Sequence, residues 1–290
     1  MNHLFSKLPT YCADAVVLIF ALFYKVLTLN IRLMRPEKES TPNPVAILGN
    51  GPSLKKDIDT ILLNKSQIDF FVVNYFANTK FFKELKPSYY ILIDPVFWND
   101  HINENIKNDN NLLIKNLLEV DWKMELICAD EGYKKIQKQL APNPNILVKK
   151  MKSYWFDLRS KKANIFALRF FLATPNFVNV LIAAIWFALI NGRKSIKIYG
   201  ADFSTFKELQ VDQKTNMVFT SSSHFYKDTH DLASVKEKYI GIPPKMINIR
   251  FYQIWLGFRQ MYFLSELAKA WKVTVINKSS FSYLDCFKRN

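Results

Sequence analysis

Hydrophobic residues in this chain come in short runs, each closed by polar turn residues. Val45 to Leu48 is the first clear run, and it breaks directly into Gly49-Asn50-Gly51-Pro52-Ser53. Phe70 to Asn74 ends on an amide, Tyr89 to Ile93 runs into Asp94-Pro95, and Ile196 to Tyr199 runs into Gly200-Ala201-Asp202. Leu126 to Ala129, Asn145 to Lys149 and Val273 to Asn277 are further runs of the same kind. Short apolar runs bounded by Gly, Pro, Asn and Asp read as strands buried on both faces. Helical stretches lie between them. Leu54 to Leu63 follows the first run, and a long apolar helix is predicted to open at Pro175 and stop at Gly192. Strands alternating with helices predict an α/β fold, Rossmann-like, with a mostly parallel sheet flanked by helices.

Two segments depart from this rhythm. Tyr11 to Leu29 is apolar apart from Asp14 and Lys25, and Arg32, Arg35 and Lys38 follow. Its uninterrupted core, Ala15 to Tyr24, is shorter than the roughly 20 residues that a bilayer core requires. No small-residue cleavage site follows, so a signal peptide is not expected. Residues 1–40 are expected to be a membrane-associated segment and linker, peripheral or anchored by a single helix, with basic residues meeting lipid headgroups. A core-packed N-terminal helix is the alternative. Residues 41–290 would then form the main domain. Within it the polar stretch from about 204 to 244 is expected to be a small lid.

Composition narrows the classes. The 290 residues, 49% of them apolar, suffice for one large domain. Cys12, Cys128 and Cys286 are widely spaced and odd in number, which argues for a reducing compartment and against a thiolate metal site. A formal net charge of +15 suits anionic partners. No helix-turn-helix, zinc-finger or RNP pattern is present, so an anionic membrane surface and a phosphate-bearing substrate are preferred to nucleic acid.

The candidate chemistry sits at the strand ends. Gly49, Asn50, Gly51, Pro52 and Ser53 join a strand to a helix, where amide groups and the helix dipole are expected to face a phosphate, with Ser53 as helix cap. The turn is neither a Walker loop nor a G-x-G-x-x-G fingerprint. In doubly wound sheets ligands bind beyond the carboxyl ends of the strands. Asn50, Asn74, Asp94 and Asp202 would converge there, the amides reading a base or sugar and the carboxylates a ribose. No D-x-D motif stands at these strand ends, and no metal site is expected. His224, between Ser223 and Tyr226 in the expected lid, is the candidate proton acceptor.

These residues, in this order, resemble the bacterial sialyltransferases of glycosyltransferase family 42. The matching stretches are Ile47 to Leu54, Val73-Asn74, Asp94-Pro95, Tyr199 to Phe203 and Ser223 to Tyr226. The Gly-x-Gly-Pro-Ser-Leu turn is equally similar to that of the DUF115, or motility-associated-factor-like, proteins. The resemblance implies an inverting, metal-independent transfer from a CMP-linked sialic acid to a glycan or glycolipid acceptor of surface polysaccharide. No separate cofactor would be needed, and the work would be done on the cytoplasmic side of the inner membrane. It implies donor contacts at Asn50, Ser53 and Asn74, with Asp202, Ser223 and Tyr226 nearby, and His224 as general base. Two departures are visible. Ser204 and Phe206 stand where the family has tyrosines, and its Arg-x-Thr-Ser-Gly is absent, with Thr174, Asn176 and Asn179 the nearest polar groups. Two other functions fit the same residues: a pyrophosphokinase using ATP and magnesium held by Asp94 and Asp202, and a non-catalytic nucleotide-binding scaffold.

Overall fold

The computed structural model describes residues 8–27, 43–214, 218–220, 225 and 247–289. Its strands, in chain order, are β1 (Val45–Leu48), β2 (Asp69–Val73), β3 (Tyr89–Leu92), β4 (Met124–Ala129), β5 (Ile146–Met151), β6 (Ser195–Tyr199), β7 (Leu209–Val211), β8 (Val218–Thr220), β9 (Thr274–Asn277) and β10 (Lys288–Arg289). Eight of them form one sheet in the order β10-β9-β6-β1-β2-β3-β4-β5, and every neighbouring pair is parallel. The chain runs outward from β1 to β5, then returns to the far side of β1 to lay down β6. The order therefore reverses between β1 and β6. β7 and β8 pair apart as an antiparallel ribbon.

Among the described residues eight helices accompany the strands: α1 (Leu8–Leu27), α2 (Leu54–Leu63), α3 (Phe81–Leu85), α4 (Glu104–Leu118), α5 (Tyr133–Leu140), α6 (Lys161–Arg169), α7 (Val180–Ile190) and α8 (Ile247–Ala270). Strand side chains alternate between two apolar layers, as the pleat requires. Val45 and Ile47 of β1 join the layer built with α7 and α8, whereas Ala46 and Leu48 join the layer of α2, α4 and α5. All four are fully buried, which explains why β1 reads as an unbroken apolar run.

One helix boundary shifts, and one helix goes unread in the hydrophobic pattern. The long apolar helix starts at Val180 and not at Pro175, because the Asn179 side chain accepts the Leu181 N–H at 2.8 Å and caps it there. Gly192, at φ 75°, ends it as read. α8 lacks a clean apolar stripe, since Gln260 and Ser265 are buried within it, and the hydrophobic pattern did not foretell it.

α1 lies against the domain. Asp14 is buried, and its carboxylate accepts the N–H groups of Arg159 and Ser160 at 2.9 and 2.8 Å, while Leu18 packs on the core. No described helix is long and apolar enough to cross a membrane.

Candidate functional site at the switch of the sheet

The reversal between β1 and β6 leaves a crevice outside their carboxyl ends, where doubly wound sheets bind ligands. The two turns that bound it are laced together. Gly49 N–H donates to Tyr199 O at 2.8 Å, and Gly51 N–H donates to Gly200 O at 2.9 Å. Gly200 adopts φ +62°, which a side chain would disfavour. A Cβ on Gly51 would sit 2.3 Å from Asp202 Oδ1, so glycine is required there by the neighbouring turn.

Asp202 is buried, and both its carboxylate oxygens are taken up by Ser53. The Ser53 N–H donates to Oδ2 at 2.9 Å and the Ser53 hydroxyl donates to Oδ1. The next three N–H groups, of Leu54, Lys55 and Lys56, donate to the carbonyls of Gly51, Pro52 and Ser53 at 3.1, 3.2 and 3.0 Å. One expectation is corrected: Ser53 does not cap α2 with its own hydroxyl. The Gly49, Gly51 and Ser53 amides are taken up within the protein, and Asp202 is the anion at the amino end of α2. Burial pushes the Asp202 carboxyl above its ordinary range, the Ser53 bonds pull it down, and Asp57 adds to the rise. Bonded to Ser53 through both oxygens, this carboxylate holds the turn in shape.

A serine-rich stretch just after β9 braces the same corner, and the sequence reading missed it. Ala201 N–H donates to Ser279 Oγ at 3.0 Å, the Ser282 hydroxyl donates to Ala201 O at 2.6 Å, and Tyr283 N–H donates to Asp202 O at 2.9 Å. Three serines in four residues directly behind a strand were the available signal.

Asn50 and Asn74 follow the neighbouring parallel strands β1 and β2, so both stand at the carboxyl edge of the sheet. The side-chain oxygen of each is shielded from solvent and has no hydrogen-bond partner among the described residues. Asn74 is held at φ +52°, and its carbonyl accepts the Tyr90 hydroxyl, which itself accepts the Ala77 N–H at 2.9 Å. Tyr90 is fully buried and burial drives its phenol upward, so it stays a neutral donor. This positioning role was invisible in the sequence, where Tyr90 reads as a plain strand residue.

Asp94, at the end of β3, accepts the Val96 N–H at 3.1 Å and starts the helical turn Pro95–Phe97. Phe225 is the described residue of the expected lid nearest the turn. Its N–H donates to Asn50 O at 2.9 Å, and its buried ring lies 5.9 Å from Phe76 and 5.8 Å from Phe81. His224, Ser223 and Tyr226 lie outside the described residues. Farther along the same carboxyl edge, past β3, lies a cleft of about 390 Å³, lined among others by Ile93, Pro95, Trp98, Glu131, Ser153 and Phe177. Asn176 also lines it, whereas Thr174 bonds the 154 segment and Asn179 caps α7.

No family model matches this chain, and no curated protein matches it. Among solved structures it is similar to the MAf glycosyltransferase from Magnetospirillum magneticum AMB-1, at 12% sequence identity and a TM-score of 0.48. The match covers 88% of this chain and 35% of the other, so this chain spans about a third of the neighbour's length. That neighbour falls in the motility-associated branch. The resemblance to sialyltransferase family 42 finds no counterpart in these comparisons.

Proposed function

We propose that this chain is a glycosyltransferase that takes a sugar from a nucleotide-activated donor and passes it to a saccharide acceptor in surface-glycan synthesis. The observation that carries this reading is the pair of amide oxygens of Asn50 and Asn74, shielded from solvent and without a partner among the described residues, at the ends of the neighbouring strands β1 and β2. A buried acceptor without a donor costs about 1–3 kcal/mol. The hydroxyls of a ribose and a sugar, or the amino group of a base, would satisfy both. Such donor groups fit these oxygens; a bare phosphate does not. The net charge of +15 draws the anionic donor towards the protein.

The donor would lie across the ends of β1 and β2, with the acceptor entering from the cleft. There Trp98 and Phe177 supply apolar faces for a sugar ring, and Glu131 and Ser153 supply hydrogen bonds. His224 is the proposed base. Its chain neighbour Phe225 is tied to the Asn50 carbonyl, which links this part of the chain to the crevice. In the step, an acceptor oxygen attacks the anomeric carbon and its proton passes to the imidazole. The bond to the nucleotide phosphate breaks with its electron pair going to the phosphate, and the anomeric centre inverts. The finer donor, CMP-sialic acid, follows from the family resemblance alone.

The test is incubation of the full chain with CMP-, UDP- and GDP-sugars and mass spectrometry for released nucleotide and sugar-bearing product. Wild type is expected to turn over one donor, and His224→Ala to lose transfer by about 10²–10⁴-fold while still binding the nucleotide. Turnover unchanged in His224→Ala overturns the base assignment; no turnover of any donor overturns the transferase.

A further inference from the structure

Most of the large apolar side chains that the described residues leave exposed are on three helices, α1, α6 and the first half of α8. α1 turns Asp14 and Leu18 inward, while Ile19, Phe20 and Phe23 on its other side are 66, 68 and 59% exposed. α6 carries Phe166 and Phe170 on one exposed stripe, their rings 4.6 Å apart, with the Arg169 guanidinium 5.9 Å from the Phe170 ring. α8 begins with exposed Ile249, Phe251, Tyr252 and Trp255. A monomeric protein does not normally leave this much aromatic and aliphatic surface in water.

The three helices meet around one segment, residues 154–160. Asp14 of α1 holds the N–H groups of Arg159 and Ser160, and Ser160 caps α6. Tyr24 of α1 packs on Tyr154 at 6.5 Å. Arg259 of α8 donates to Leu158 O at 3.2 Å and pairs with Asp157 at 2.7 Å. Basic residues predominate in this neighbourhood, where Glu266 of α8 is paired with Lys269. Lys152, Arg159, Lys161, Lys162 and Arg169 are all exposed, and the only acidic residue from 152 to 170, Asp157, is neutralised by Arg259.

We infer that α1, α6 and the first half of α8 form a single docking surface for an anionic lipid bilayer, on which the domain lies without crossing it. Aromatic and aliphatic side chains enter the acyl boundary, and the ring of lysines and arginines meets the headgroup phosphates. The charge complementarity singles out a bilayer over a second copy of this chain, whose own basic face would repel it. The surface extends well past the N-terminal segment that the hydrophobic pattern revealed. It does not depend on the transferase reading, since it shares no residue with the crevice.

Cys12, exposed on α1, is a ready site for an environment-sensitive fluorophore on the full chain, since Cys128 is buried. The labelled protein is mixed with vesicles of phosphatidylcholine alone, or of phosphatidylcholine with phosphatidylglycerol, and binding is read by co-sedimentation and by the emission of the dye. The expected result is binding and a blue shift only on the anionic vesicles, weakened by salt. Combining Lys161→Glu, Lys162→Glu and Arg169→Glu is expected to weaken binding on the order of a hundredfold, about fivefold per basic residue lost. Phe166→Ser with Phe170→Ser is expected to weaken it about tenfold or more. Circular-dichroism melts superimposable on wild type confirm that these exposed changes leave the fold intact. Equal binding to neutral and anionic vesicles, or no loss in the α6 variants, overturns the proposal. So does a dimer in light scattering that dissociates in the α6 variants, for then a second copy covers the face.

Discussion

Asp202 is the residue whose replacement reports most on how the crevice is built, and Asp202→Asn is the informative change. The native carboxylate receives two donors from Ser53, its N–H at 2.9 Å and its hydroxyl. An amide of the same shape keeps one acceptor oxygen and turns an NH₂ group towards the other donor. One Ser53 donor is then buried unmatched, at a cost of about 1–3 kcal/mol. For a chain of this size that is a fall in melting temperature of about 3–8 °C, read by calorimetry. Ser53→Ala removes the hydroxyl alone. The double variant should therefore lose less than the sum of the singles by at least about 0.5 kcal/mol, the signature of a shared interaction. The dependence on pH has a definite sign. Burial raises the folded-state pKa of Asp202 above the unfolded value, so ionising the carboxyl opposes folding. Its contribution is complete below the unfolded pKa, ordinarily near 3.8, and declines as pH rises through the raised folded value. The penalty of Asp202→Asn should accordingly be larger at acid pH than at neutral pH. Melting temperatures equal to wild type at both, with additive singles, would refute this account of the turn.

Two further outcomes follow from the same geometry. Gly51→Ala places a methyl group 2.3 Å from Asp202 Oδ1 and should destabilise by about 1–3 kcal/mol, measured by urea unfolding; a neutral effect would mean that the two turns are not packed as described. Burial pushes the thiols of Cys128 and Cys286 up to about 12, so at pH 8 a thiol reagent should modify exposed Cys12 rapidly, half-buried Cys286 more slowly and buried Cys128 only after unfolding, as read by mass spectrometry.

How far the sequence foretold this arrangement depends on the length scale of each cause. The strands were legible because both faces of the sheet are covered, so β1 has no polar position to interrupt Val45 to Leu48. The crevice was legible for a related reason: in a parallel sheet every strand ends on the same side, so Asn50, Asn74, Asp94 and Asp202 had to gather along one edge. What each polar group does there was not legible. Ser53 and Asp202 are 149 residues apart, and nothing local says that the carboxylate sits at the amino end of the helix. The bracing of Asn74 by Tyr90 and the strap of Ser279 and Ser282 are likewise long-range choices of packing. α8 escaped notice because Gln260 and Ser265 point into the core and erase the apolar stripe.

The central claim is that Asn50 and Asn74 together receive a nucleotide-linked sugar. Isothermal titration calorimetry of CMP, UDP, GDP and ATP, with and without magnesium, into wild type, Asn50→Ala and Asn74→Ala tests it most directly. The account predicts that one nucleotide binds wild type with favourable enthalpy, and that each alanine variant weakens that binding at least about tenfold, roughly 1.4 kcal/mol, while melting as wild type does. Equal affinity in all three proteins, or no binding of any nucleotide to wild type, would contradict it.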